Sequence, residues 1–246
     1  MTLGTITIDP RFRGPATSGN GGYVCGRLAA FLDGPAEVRL TAPPPLDMAL
    51  DVEATGKGIE MRHVDTVYGM AWAKTPEAKV PAMPSADDIT TAHAEYLTQT
   101  DDHALPHCFV CGPRREAGDA LRIFAGEVPG RQLNADHWTP DASLGDEGGL
   151  VRPEFLWAAL DCPSYFALRL WGQFALLVSL TAEIFSRPSV GEQLTVLAWP
   201  DRAEGRKHYA HSAILNAGGE TLALANALWI EVNDPEFLTK LKAENE

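Results

Sequence analysis

The pentapeptide Val38-Arg39-Leu40-Thr41-Ala42 returns 140 residues later as Val178-Ser179-Leu180-Thr181-Ala182. Asp65-Thr66-Val67-Tyr68-Gly69-Met70-Ala71 returns as Glu220-Thr221-Leu222-Ala223-Leu224-Ala225-Asn226 at an offset of 155. The two matches keep their order, and each follows one helix start and a short loop, so the chain runs one plan twice. The 15-residue difference in offset is what longer strands in the second copy would require. Each copy reads as a strand, a loop, one apolar helix and a run of antiparallel strands, an α+β plan with one helix per sheet. A chain of 246 residues is long enough for two such units, each with its own core. The expected division is a first unit over 1–74, a linker over 75–103 and a second unit over 104–246. Pro76, Pro81, Pro84 and Pro106 frame the linker, and Ser85-Ala86-Asp87-Asp88 predicts the cap and acidic first turn of a short helix reaching Leu97.

The two long helices begin differently. Ser18-Gly19-Asn20-Gly21-Gly22-Tyr23 is a glycine-rich turn running into the apolar stretch Val24 to Leu32, with Gly34 placed to end it. Asn20 is a good cap type, and glycines there leave backbone N–H groups open to an anionic or polarised ligand. The second helix starts at Arg152-Pro153-Glu154, where proline suits a first turn, and Pro163 interrupts it. Asp161 is the only charge between Glu154 and Arg169. An acid isolated in an apolar helix either caps the restart at Pro163 or is held there for chemistry. Among Trp157, Leu160 and Phe166 its pKa should be raised by desolvation. Strands are expected at 5–8, 37–42, 46–54, 59–63 and 66–73. In the second copy they are expected at 120–124, 131–133, 175–185, 193–199, 208–215 and 221–232.

The net charge of −13 argues against nucleic acid and anionic membranes as partners, and no apolar run is long enough to span a bilayer. The start, Met1-Thr2-Leu3-Gly4-Thr5, has no export-signal pattern, and four cysteines in a chain this long are no disulfide framework, so a cytoplasmic location is expected. Cys108-Phe109-Val110-Cys111 after His107 has metal-pair spacing, but structural zinc takes four ligands and no second pair exists. No metal is expected.

Asn20-Gly21-Gly22 at a helix start within the order strand, loop, helix, strands resembles hotdog-fold thioesterases. Cys108-Phe109-Val110-Cys111-Gly112-Pro113 followed by Leu121-Arg122-Ile123-Phe124 is similar to the opening segment of phenylacetate-pathway-type acyl-CoA thioesterases. Trp157-Ala158-Ala159-Leu160-Asp161 resembles their helix. The two copies together resemble the double hotdog of acyl-CoA thioesterase II: two antiparallel sheets, each wrapped on one central helix.

The resemblance implies an acyl-CoA thioesterase with no cofactor beyond the coenzyme A of its substrate, assembling as a homodimer or larger homo-oligomer. It also implies two antiparallel helices, the N-terminus of one binding the thioester oxygen and a carboxylate of the other activating water. The catalytic candidates are then Asn20, Gly21 and Gly22 as donors and Asp161 as base or nucleophile, with one site per chain. Ala29 occupies the place equivalent to Asp161, and Pro153 and Glu154 spoil the second donor site. Ser179 and Asn226 are the nearest counterparts of the family's polarising Thr and Gln, and both depart from the pattern. Tyr23 and Trp157 are candidates for the acyl tunnel, and Arg206 and Lys207, in a basic hairpin with Arg202 and His208, for coenzyme A phosphates. The alternatives are a non-catalytic acyl-CoA-binding module and a hydratase-like lyase.

Overall fold

The computed structural model describes residues 1–101, 103–170 and 173–245. Asp102, Trp171, Gly172 and Glu246, which fall inside the expected linker and second unit, lie outside the described residues. The strands are β1 (Thr2–Ile6), β2 (Ala36–Leu40), β3 (Leu50–Thr55), β4 (Gly58–His63), β5 (Thr66–Ala73), β6 (Gly126–Glu127), β7 (Asn134–Trp138), β8 (Ala175–Ile184), β9 (Leu194–Glu204), β10 (Lys207–Leu215) and β11 (Thr221–Glu231). They form one sheet in the order β1-β3-β4-β5-β2-β8-β11-β10-β9-β7-β6.

The repeated segments explain that order. β2 and β8 carry the first match and pair antiparallel with each other, Val38 opposite Leu180. β5 and β11 carry the second match and flank them on either side. The strand order is therefore nearly symmetric about the β2–β8 seam, with β6 the one strand that has no counterpart. At that seam each strand covers the edge the other would have exposed.

The helices are α1 (Gly21–Ala29), α2 (Ala86–Leu97), α3 (Pro153–Ala159), α4 (Cys162–Phe166) and α5 (Pro235–Asn245). None is long and apolar enough to cross a membrane. α1 and α3 pack on the face of the sheet that carries Val38, Leu180, Val196, Ile214 and Ala225. The alternate strand residues Leu197, Ala213, Leu215 and Leu224 point the other way and are covered by Ile89 and Ala92 of α2.

α1 and α3 run antiparallel and touch through glycines. A Cβ on Gly22 would lie 2.5 Å from Asp161 Cβ and 2.7 Å from the Trp157 carbonyl oxygen; one on Gly26 would lie 2.7 Å from Glu154 Cα. The glycine spacing thus sets how closely the two helices approach, as well as baring backbone donors.

Several expected boundaries move. The strand expected at 120–124 does not form: Ala120 makes only an isolated bridge, and Leu121 and Ile123 donate instead to the Phe109 and Val110 carbonyls (2.9 and 3.0 Å), which ties this segment to the Cys108 turn. Residues 131–133 are not a strand either, and the strand begins at Asn134. α1 ends at Ala29, before the expected stop, with Gly34 in a left-handed turn beyond it. Pro163 restarts the helix as expected, although α4 stops at Phe166.

Candidate active site

Asn20 caps α1: its side-chain oxygen accepts from the Tyr23 N–H at 2.9 Å. That orientation fixes the other end of the amide, which donates to Asp161 Oδ2 at 2.8 Å. The same Oδ2 accepts the Gly22 N–H at 2.9 Å. A carboxylate from the step between α3 and α4 thus sits on the N-terminus of α1, where the helix dipole favours negative charge. The Asp161 side chain makes no cap bond to its own helix; the Asp161 backbone oxygen does that work, accepting Ser164 N (2.9 Å) and Ser164 Oγ (2.7 Å). Trp229 Nε1 donates to Ser164 Oγ at 2.9 Å and so braces this turn from β11.

The first four N–H groups of an α-helix have no partner inside it. At the start of α1 the Asn20 N–H goes to the Phe12 carbonyl, the Gly22 N–H to Asp161 and the Tyr23 N–H to the Asn20 side chain, and Val24 makes the first bond inside the helix, to the Asn20 carbonyl. Of these four, Gly21 alone has an N–H with no partner among the described residues, and the Gly22 N–H, expected to be open, is engaged by the acid. Gly21 is also the only half-exposed member of the group, with Asn20, Gly22 and Asp161 buried. Leu177 of β8 packs over it, so that a Cβ on Gly21 would lie 2.9 Å from Leu177 Cδ2.

Burial pushes the Asp161 pKa up to about 7, with the Gly22 and Asn20 hydrogen bonds opposing the shift and Cys108 adding to it. Asp161 Oδ1 is buried without a hydrogen-bond partner. Cys108, Cys111 and Cys162 surround the same point as free thiols, and Asn20 Nδ2 lies 3.8 Å from the sulfurs of both Cys108 and Cys162.

The other candidates are not gathered here. Ser179 alternates with Leu180 and faces away from the helices, as does Asn226 between Ala225 and Ala227; Asn226 Nδ2 donates instead to the Glu77 carbonyl of the linker at 3.0 Å. The pleat of the sheet, with a bulge at Val178, excludes both from Asp161. Tyr23 and Trp157 are core residues. Tyr23 stacks on Phe12 (4.3 Å between centroids) among Phe109 and Phe155, and Trp157 packs on Gly26. Arg206 lines a groove of about 370 Å³ with Leu176, Val178 and Ile230, while Lys207 is exposed outside that lining.

The sequence matches no protein-family profile and no curated protein. Solved structures do resemble it. One is a protein of unknown function with a hotdog fold from Alicyclobacillus acidocaldarius: TM-score 0.57, 14% identity, covering 94% of this chain and 93% of that one. The chain is a hotdog-fold protein. The same fold is shared with the tesB protein of Mycobacterium avium subsp. paratuberculosis (TM-score 0.59, 12% identity, 93% and 92% of the two chains). It is shared also with acyl-CoA thioesterase II TesB2 of Mycobacterium marinum (TM-score 0.57, 14% identity, 89% and 91%). In this hotdog chain the segments beneath the α1 start are the Cys108 turn and the Asp161–Cys162 step, which the sequence alone did not bring together.

Proposed function

We propose that this chain is a double hotdog, with units 1–74 and 104–246 joined by the linker 75–103, that hydrolyses an acyl-CoA thioester at one site per chain. The observation that carries the reading is Asp161 Oδ2 at 2.9 Å from Gly22 N, a carboxylate of one half seated on the helix start of the other. The acyl-CoA thioesterase II TesB2, which covers 89% of this chain, supports the reaction class by its name.

The substrate carbonyl oxygen takes the Gly21 N–H and the positive end of α1, entering past Leu177. Asp161 takes a proton from water, and the water oxygen attacks the carbonyl carbon. The carbon–sulfur bond then breaks, the proton passes to the departing thiolate, and a carboxylic acid and free coenzyme A are released. Direct attack by Asp161 through an anhydride gives the same products after a second step. Arg206 supplies counter-charge to a coenzyme A phosphate. No separate cofactor, nucleic acid or membrane takes part, and we place the protein in the cytoplasm as a homodimer.

One observation favours a second reading: Asp161 is buried and already holds two donors, as suits a module that binds acyl-CoA without turnover. A lyase is less well supported, because no histidine is among the hydrogen-bond partners of Asp161 within the described residues. Thiol release across an acyl-CoA series separates the readings. Hydrolysis is expected in the wild type and lost in Asp161→Asn; binding without release from any member of the series would point to the module.

A further inference from the structure

Beyond that reading, we propose that Cys108, Cys111 and Cys162 bind one zinc ion through three thiolates, leaving a fourth position for water or a small ligand. The turn Cys108-Phe109-Val110-Cys111-Gly112 closes with Gly112 N donating to the Cys108 carbonyl at 2.9 Å. A Cβ on Gly112 would lie 2.5 Å from that oxygen, so the tight turn requires glycine. Such a turn brings two sulfurs three positions apart in sequence to one side. The third comes from Cys162, the first residue of α4, beside the proline that restarts the helix.

All three sulfurs lie within 4.8 Å of one another and all are buried. Cys108 Sγ and Cys162 Sγ are 3.7 Å apart. Two thiolates on a tetrahedral zinc, with bonds of about 2.3 Å, are separated by roughly 3.8 Å, so the pair needs no rearrangement to take the ion. A disulfide would need about 2.05 Å.

Charge favours zinc over a monovalent soft ion. Three thiolates with a divalent ion leave one negative charge to bury, whereas copper(I) leaves two. Asn20 Nδ2 faces the sulfurs of both Cys108 and Cys162 at 3.8 Å and supplies a donor to the bound thiolates. His103 is not free to be the fourth ligand. Its Nδ1 accepts from Leu105 N at 3.1 Å, and its Nε2 meets Tyr96 Oη at 3.0 Å. Among the described residues the cluster has no further ligand, so the fourth position is open. Asp161 Oδ1, buried one amide away and without a donor, is the kind of acceptor a zinc-bound water satisfies.

The full chain, purified under reducing conditions with zinc and passed through a chelator, should keep one zinc per chain by elemental analysis. Cobalt exchanged into it should give sulfur-to-metal charge-transfer absorption, and X-ray absorption at the metal edge should count three sulfurs and one lighter atom. Cys111→Ser and Cys162→Ser should lose the metal, while Cys25→Ser, whose thiol is outside the cluster, should keep it. Absence of metal with no cobalt band in the reduced wild type would overturn the proposal, as would a coordination sphere without three sulfurs. Two missing thiols in the denatured, unreduced protein would show a disulfide instead and overturn it too. The wild-type spectra decide the matter even if the cysteine variants do not fold, and none of these readouts depends on thioester hydrolysis.

Discussion

α1 and α3 occupy equivalent places in the two copies of the plan, yet the negative charge at their N-termini comes from opposite sources. α3 carries its own acid: its cap, Arg152, makes no side-chain cap bond, Pro153 has no N–H to offer, and Glu154 sits in the first turn paired with Arg152 at 3.7 Å. α1 has no acid in its first turn and takes the buried carboxylate of Asp161 from the other half. A helix start that carries its own acid is closed to an incoming anion or oxyanion, and one that borrows its acid can give up the interaction to a ligand. The two starts thus share a place in the plan of the sheet and differ in where their negative charge comes from.

The contrast predicts unequal answers to equal substitutions. The largest effect is expected on turnover. Asp161→Asn should lower the thiol-release rate by about 100-fold to 10,000-fold, the range for loss of a general base, while leaving the circular dichroism spectrum intact. Glu154→Gln at the other start should leave the rate within about a factor of two, roughly the change that 0.5 kcal/mol gives. Equal losses from the two would erase the distinction.

Next in size is helix contact. Gly22→Ala and Gly26→Ala should each cost about 1–3 kcal/mol in urea unfolding, because the added carbon meets backbone atoms across α1–α3. Gly56→Ala, which meets nothing within 4 Å, should stay within about 0.5 kcal/mol.

Asn20→Asp keeps the cap acceptor but sets a second carboxylate against Asp161 in place of a donor. A loss of about 1–3 kcal/mol is expected, and Asn20→Ser should lose less because it removes the donor without adding charge.

The smallest effect lies away from both starts and sets the background against which they are read. His93 Nδ1 meets Asp136 Oδ1 at 2.8 Å, and that hydrogen bond raises the His93 pKa despite partial burial and the nearby Arg122. The contribution is therefore fully present below the unfolded histidine value of about 6.5 and is lost as pH rises through the higher folded value. Unfolding midpoints should show a small downward step on going alkaline that His93→Gln removes. A step that survives the substitution would place its source elsewhere.

Much of this contrast is legible in the sequence, because it is written in short-range chemistry. Asn20 as a cap, glycine after it, proline and glutamate at the second start, and the 140- and 155-residue repeats are local signals, and each repeat lands on a strand next to the seam. Asp161 is suspicious because an isolated acid in an apolar helix is costly, and its partners turn out to lie 139 and 141 residues away. What the sequence hides is set by sidedness and by remote pairing. Ser179 and Asn226 have suitable chemistry but stand on the wrong side of the pleat, which a bulge at Val178 makes harder to count. Tyr23 and Trp157 suit a tunnel by residue type, but Tyr23 lies in the four-ring cluster around Phe12 and Trp157 is buried against Gly26. Cys108-x-x-Cys111 looks unpartnered because its third sulfur arrives from Cys162, 54 residues on, through the packing of α4. Residues 120–124 read as a strand, but Leu121 and Ile123 hydrogen-bond to the cysteine turn.

Binding stoichiometry tests the inequality of the two starts most directly. Asp161→Asn protein would be titrated calorimetrically with an acyl-CoA analogue in which a methylene separates the sulfur from the carbonyl, so that no hydrolysis can occur. One molecule bound per chain, with the isotope-labelled carbonyl shifting the Gly21 amide resonance and not those of Phe155 or Leu156 in α3, is the predicted result. Two molecules per chain, or one that perturbs the α3 start and leaves Gly21 unchanged, would contradict it.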